Sequence, residues 1–272
     1  MASTTNKLKS VLLPIASGSI LLGIWYIISY CYGQSVGYDV QRIIIPFPHQ
    51  IADALWTERN ALWLSTKQTA LAALIGFIAA VSVGYALSML LSSAVWVKKA
   101  LYPWVLVLQM TPVVVLAPIF VLWMGQGLPS ITAITFMIGF FPVVANTTMG
   151  LVSTDRNLLD LFEMSNATKT QEILYLRVPF AMPYFLTGMK IAGTLAPIGA
   201  IAGDLFAGSS QGGVGGIGYM VILYNSQLKI PELFATALVA CMLGFVFVGC
   251  VNWLHWFLLK NWHESVRKVD NT

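Results

Sequence analysis

Charge is the scarcest commodity in this chain: Asp, Glu, Lys and Arg make up only 10% of its 272 residues, against about 25% in a soluble domain. A water-soluble fold of this length could not cover its surface with so few ions. Cysteine is nearly absent as well. Cys31, Cys241 and Cys250 have no metal-ligand spacing, and each lies in or at the edge of an apolar stretch, where cysteine behaves as a small hydrophobe. Three histidines, His49, His255 and His263, are scattered, so no convergent acid–base, nucleophilic or metal-binding set is visible. A phosphate-binding Gly-x-x-x-x-Gly-Lys-Ser/Thr loop is missing too; the glycine-rich run over 208–218 lacks the lysine. The chain therefore reads as no enzyme, with no catalytic residues, no metal and no cofactor. Its basic residues stand singly or in pairs between apolar stretches rather than on one basic face, which excludes nucleic acid as a partner.

What is present is apolar: 57% of the residues are hydrophobic and the mean hydropathy is +0.76. About 20 mainly apolar residues cross the roughly 30 Å hydrocarbon core. Six stretches qualify, at about 11–32, 69–93, 100–124, 130–152, 183–207 and 233–258. The expected fold is an all-α integral membrane protein of about six transmembrane helices, one permease-like domain over 1–272 set in the lipid bilayer. The run from Val11 to about Tyr32 is too long for a signal peptide and lacks its cleavage site, so it reads as an uncleaved first span. With the N-terminus inside, ten Lys and Arg residues fall on the cytoplasmic side and four, Arg42, Arg59, Lys67 and Lys229, outside, which predicts N-in and C-in. Lys190 is placed near the inner end of the fifth span, snorkelling to the surface. The segment 33–66 reads as external, with a short amphipathic helix around Ile51–Trp56 at the membrane surface. Small residues over 70–88, including Ala72, Ala73, Gly76, Ala80 and Gly84, predict a close-packing helix face.

The connection between spans four and five is unlike the others. Over 155–179 it spends some 25 residues on ordered structure. Leu158, Leu159, Leu161 and Phe162 supply one short apolar helix face, Asn166 suits a left-handed turn, and Thr168 with Gln171 makes a capping box that starts a second helix. Pro179 is expected to end that helix. Two short helices at an angle form a knob able to seat in another protein and pass rigid-body motion to the attached spans.

This knob resembles the EAA loop of binding-protein-dependent ABC importer permeases, whose pattern is E-A-A, three residues, G, nine residues, I-x-L-P. Asp160, Leu161 and Phe162 stand at E-A-A, Asn166 at the glycine, and Leu176, Arg177, Val178 and Pro179 at I-x-L-P. The spacing fits throughout while the identities differ. Two further stretches resemble the sulfonate, taurine, nitrate and thiamine-precursor (hydroxymethylpyrimidine) branch of this type I fold: Gln109-Met-Thr-Pro112 through Leu122-Trp123-Met-Gly125-Gln-Gly127, and Gly203-Asp-Leu-Phe-Ala-Gly208 through Tyr219. The likeness covers the core at about 65–260, with an external glycine-rich hairpin at 208–232.

The resemblance implies a permease subunit in a bacterial cytoplasmic (inner) membrane. It implies two ATP-binding-cassette ATPase subunits, a second permease copy (a homodimer) and an external substrate-binding protein as partners. Alternating access, driven by the ATPases through Asp160, Leu161, Phe162, Asn166, Leu176, Val178 and Pro179, would open the path. Gln109, Met110, Phe140, Asn146 and Asp204 are the candidate path residues. Asp204 has a second reading, as a carboxylate capping backbone N–H groups of the external hairpin. The form of the loop is similar to permeases for a thiamine pyrimidine precursor or riboflavin, with sulfonate, taurine, nitrate or bicarbonate as the alternative cargo. A secondary transporter or channel working without ATPases is the alternative of another class, and it would need coupling carboxylates in several spans.

Overall fold

In lipid every backbone polar group has to be satisfied within the protein, and helices do this segment by segment. The computed structural model describes residues 2–209 and 215–259, with backbone alone over 2–12 and at Ile15. Among the described residues there are helices and no strands. In chain order they are α1 (Ala2–Val36), α2 (Tyr38–Ile44), α3 (Pro48–Thr57), α4 (Arg59–Ser93), α5 (Val95–Met110), α6 (Val113–Met124), α7 (Leu128–Val152), α8 (Arg156–Met164), α9 (Lys169–Glu172), α10 (Val178–Ala207), α11 (Ile217–Ser226) and α12 (Ile230–Leu259).

Among the described residues four helical stretches are long and apolar enough to cross a membrane: Arg59–Ser93, Leu128–Val152, Lys169–Ala207 and Ile230–Leu259. The first expected span lies within α1, part of whose side chains fall outside the described residues. The expected span at 100–124 is present but broken. It is two helices, α5 and α6, bent by 96° at Thr111–Pro112, so it counts as a fifth crossing only if the bent pair is one span. The cause is local. A residue before proline is pushed out of the helical region, and Thr111 sits at φ −71, ψ 122. At 12 residues α6 is about 18 Å long, too short to cross alone.

The chain forms two compact units, Met1–Trp63 with Met220–Val239, and Leu64–Tyr219 with Ala240–Thr272. In the first, α3 is the expected amphipathic helix: Ile51 and Ala54 are buried with Leu62 and Ala235, while Trp56 is 73% exposed. Trp25 packs on Phe234 at 5.7 Å between ring centroids and donates its indole N–H to the Pro46 carbonyl at 3.2 Å.

In the second unit α7 is the central helix, packed along α4 and α10. Small residues set these approaches, as close packing in membranes requires. A side chain at Gly76 would meet Thr135 Cβ at 2.6 Å, and one at Gly84 would meet Val143 Cβ at 3.0 Å. On the other flank of α7, a side chain at Gly188 would meet the Pro142 carbonyl at 2.9 Å, and one at Gly150 would meet Tyr184 Cβ at 2.7 Å. Phe77, Val143, Leu186, Met189 and Val251 fill the core where these helices meet α12.

Two further expectations are corrected here. Pro179 does not end a helix. α9 runs through a π-helical turn, Ile173–Arg177, directly into α10, so that Lys169–Ala207 is one 39-residue helical stretch. Proline clashes with the carbonyl four residues back and cannot donate to it. Widening the turn before it removes that conflict, and the Val178 N–H bonds the Ile173 carbonyl five residues back instead. Lys190, in turn, is not at the inner end of its span. Gly188 lies against Pro142 and Asn146, and Ala192 against Gly139, which puts Lys190 level with the middle of α7.

Candidate functional site

The knob at 155–179 is built by local rules at each joint. The Asp155 carboxylate accepts the Asn157 N–H at 2.9 Å and caps α8. Asn166, at φ 52, takes the left-handed conformation that ends α8, and the Ala167 N–H returns to the Phe162 carbonyl at 3.0 Å. α9 opens on a reciprocal cap: the Thr168 N–H donates to Gln171 Oε1 at 2.8 Å, and Thr168 Oγ1 accepts the Gln171 N–H at 3.3 Å. Across the π turn, Arg177 grips the Glu172 carboxylate with Nε at 2.7 Å and Nη2 at 2.5 Å, and Lys169 reaches the other carboxylate oxygen at 3.1 Å. Residues five apart lean to different faces of an α-helix. The widened turn brings Glu172 and Arg177 side by side, so the ion pair and the π geometry support each other.

Leu158, Leu159, Leu161 and Phe162 fall on one side of α8, as expected, with exposure graded across it. Leu159 and Phe162 are half-buried, whereas Leu161 is 56% exposed and Met164 83%. Leu174 and Tyr175 are exposed on the following turn, and Asp160 is exposed beside Leu161. No residue of α8 or α9 is buried. Between α8 and the start of the long helix lies a cleft of about 370 Å³ lined by Arg156, Asp160, Glu163, Lys169, Glu172 and Arg177 among others. Leu176 is buried, while Val178 and Pro179 are half-buried in the first turn of α10. The knob thus offers an apolar and charged surface at the end of a rigid lever that runs on into α10. Replacing Pro179 with Ala removes the reason for the π turn and lets it relax to regular helix, which rotates the knob relative to α10 and parts Glu172 from Arg177. Insertion should be unchanged and the distance between spin labels on α8 and α10 should shift; an unchanged distance would show that the proline does not hold the π turn.

The second site lies at the far end of α10. Asp204 is 1% exposed. Thr69 Oγ1 donates to its Oδ2 at 2.5 Å, and the same hydroxyl accepts the Ile217 N–H at 2.8 Å. The Gly218 amide also bonds the carboxylate. Asp204 therefore caps the first turn of α11, directly and through Thr69, which is its second reading. The glycines are explained by the same contact. A side chain at Gly216 would run into the Asp204 carboxylate, and one at Gly218 would sit 2.7 Å from Asp204 Cβ and 2.8 Å from the Leu205 nitrogen. The segment 208–232 is not a glycine turn throughout, since α11 occupies Ile217–Ser226; residues 210–214 lie outside the described residues. A cavity of about 220 Å³ adjoins Asp204, lined also by Gln68, Gly127, Leu128, Ser209 and Gly216.

The remaining candidate path residues are dispersed. Gln109 and Met110 are exposed at the end of α5, Met110 at 82%. Phe140 is enclosed in the core, its ring 5.1 Å from Phe136 and 5.2 Å from Phe141. Asn146 is half-buried and donates Nδ2 to the Pro142 carbonyl at 2.8 Å. Thr69 was not among the expected site residues. It is one hydroxyl in an apolar stretch, 135 positions from its carboxylate, and no spacing signals that pairing. The five-residue interval between Glu172 and Arg177 gives no signal unless the π turn is already known.

A bundle of apolar helices carrying a rigid, exposed two-helix knob between two spans is the architecture of a transporter's membrane subunit. The model of the family "binding-protein-dependent transport system inner membrane component" matches residues 72–262, and the chain belongs to that family. It is 31% identical over 244 residues to a probable ABC transporter permease protein of Haemophilus influenzae, covering 90% of this chain and 95% of that one. It is 34% identical over 247 residues to a formylaminopyrimidine transport permease protein of Halalkalibacterium halodurans (90% and 94%). A riboflavin transport system permease protein of Chloroflexus aurantiacus is 30% identical over 82% of this chain and 81% of its own. The protein is the permease of an ABC importer and a multi-pass protein of the cytoplasmic membrane, working with ATPase and substrate-binding partners.

Proposed function

We propose that this permease forms the translocation path for a small heteroaromatic nutrient, a thiamine pyrimidine precursor or a riboflavin-like compound, and moves it by alternating access. The observation that carries the mechanism is the continuous stretch Lys169–Ala207, which joins the exposed knob to a membrane-spanning helix without a hinge. Two ATPase subunits, one on the knob of each of two permease copies, would draw the knobs together on binding ATP and tilt the attached helices. With the knob in the cytoplasm, the Lys and Arg distribution gives N-in and C-in. The external hairpin then faces the binding protein. Gln109 and Met110, at the break between α5 and α6, are exposed on the protomer and suit the path between two copies.

The cargo reading rests on the formylaminopyrimidine and riboflavin relatives. Relatives at 27% and 25% identity are permeases for nitrate and for aliphatic sulfonates, so an anion is the second reading. The test uses the assembled importer in proteoliposomes with its own binding protein. A formylaminopyrimidine should stimulate ATP hydrolysis at least several-fold, and nitrate or an alkyl sulfonate should not. Stimulation by the anions alone would reverse the assignment.

A further inference from the structure

One charged side chain stands where a membrane protein has least use for it. Lys190 lies twelve residues into α10, about 18 Å along the helix from Val178. Its level is fixed by its neighbours. Gly188 rests on Pro142 and Asn146 of α7, and Ala192 on Gly139, so Lys190 is opposite the centre of Leu128–Val152, itself one membrane-crossing helix. A lysine near a helix end can extend its ammonium to the interface, but one at the centre faces about 15 Å of hydrocarbon in either direction. Yet Lys190 is exposed on the protomer, and neither ion pair among the described residues includes it.

The face that carries it is unlike a lipid-facing one. The buried side of α10 holds Leu186, Met189, Ala192, Ala196 and Ala200. The exposed arc presents Thr187, Lys190 and Thr194 at three- and four-residue intervals, with Ile191 and Ile198 beside them and Lys190 at its edge, one turn after the buried Leu186. The Thr187 and Thr194 hydroxyls donate to the carbonyls of Pro183 and Lys190 at 2.9 and 3.0 Å, which keeps their lone pairs turned outward as acceptors. On α12, whose Val251 packs against Gly193 of α10, His255 is half-buried and Asn252, one turn before it, is exposed. No carboxylate is on this face of α10. A charge at membrane depth belongs on a water-filled surface, and the only solute that gains from meeting it offers acceptor atoms.

We infer that Lys190 lines the water-filled translocation path at mid-depth and selects cargo there, donating to neutral or anionic solutes rich in acceptor atoms and repelling cations. This rests on the proposed path between two permease copies and narrows its cargo: a neutral pyrimidine with carbonyl and ring-nitrogen acceptors passes, and its cationic derivatives are turned back.

The test uses the complete importer in proteoliposomes, with Cys31, Cys241 and Cys250 replaced by serine. In Lys190→Cys, a water-soluble cationic methanethiosulfonate should label the thiol, faster when ATP and loaded binding protein cycle the transporter. In Lys190→Met, uptake of a formylaminopyrimidine should fall about tenfold while Lys190→Arg keeps most of it and ATP hydrolysis without cargo is unchanged. A cysteine that stays unlabelled under turnover, together with wild-type uptake by Lys190→Met, overturns the inference and leaves the ATP-driven mechanism standing. Absence of ATP-dependent uptake in the cysteine-free parent would instead overturn that mechanism, and labelling separates the two outcomes because it needs no transport.

Discussion

A Leu161→Asp permease should insert, fold and bind lipid as the wild type does, yet assemble with its ATPase subunits about 30- to 150-fold more weakly. The size follows from position. Leu161, Met164, Leu174 and Tyr175 are exposed apolar side chains on a knob in which α8 and α9 bury nothing of their own, so removing one leaves the protomer's core untouched. A central apolar anchor of an interface typically contributes about 2–3 kcal/mol, and each 1.4 kcal/mol is about tenfold in affinity. A carboxylate in its place adds the cost of desolvating a charge. Asp160→Lys tests the rim of the same surface. It reverses one sign in a cleft that already holds Arg156, Lys169 and Arg177, and should lower the rate and salt tolerance of assembly more than its final affinity. Pull-down of the ATPase with detergent-solubilised permease reads both. Wild-type assembly by Leu161→Asp would place the docking surface elsewhere.

The second large effect is expected at the opposite end of the lever. Gly218→Val would force a branched side chain against Asp204 and the Leu205 backbone, where neither neighbour can move without unseating α11. Overpacking of this kind costs about 3 kcal/mol, which corresponds to a fall in thermal midpoint of roughly 6–12 °C. Asp204→Leu should be comparable. It strands the buried Gly218 amide, while the Thr69 hydroxyl can still turn to the Ser65 carbonyl, 3.1 Å away; an unpaired buried polar group costs about 1–3 kcal/mol. Asp204→Asn keeps an acceptor for both donors and should lose less than about 1 kcal/mol. A thermal-shift series on the purified permease distinguishes the three. If Asp204→Leu were as stable as the wild type, the carboxylate would not be holding α11.

Much of this molecule is legible in its sequence because lipid imposes few and strict rules. Apolar length announces α4, α7, α10 and α12, and local capping chemistry announces the knob: Asp155, Asn166, Thr168 and Gln171 each act on a backbone group within a few residues. Illegible features depend on where distant segments meet. The 96° bend at Thr111–Pro112 could be suspected from the proline but not sized, since proline kinks range widely with what packs around them. Pro179 was expected to stop a helix and instead sits behind a π turn, because the rule for proline forbids only the regular α hydrogen bond. Apolar run length alone puts Lys190 near the inner surface, and only the packing of Gly188 and Ala192 against α7 reveals its depth. Thr69 pairs with Asp204 across 135 positions, and the glycines at 216 and 218 make sense only once that carboxylate is seen lying against them.

The central claim is that motion enters this permease through the knob and is driven by ATP. It is tested most directly by measuring uptake of radiolabelled formylaminopyrimidine into proteoliposomes that hold the permease, with ATPase subunits and binding protein present or withheld and with ion gradients imposed or collapsed. Uptake should require ATP, the ATPase subunits and an intact Leu161, and should be indifferent to the gradients. Gradient-driven uptake by the permease alone, undiminished in Leu161→Asp, would contradict it.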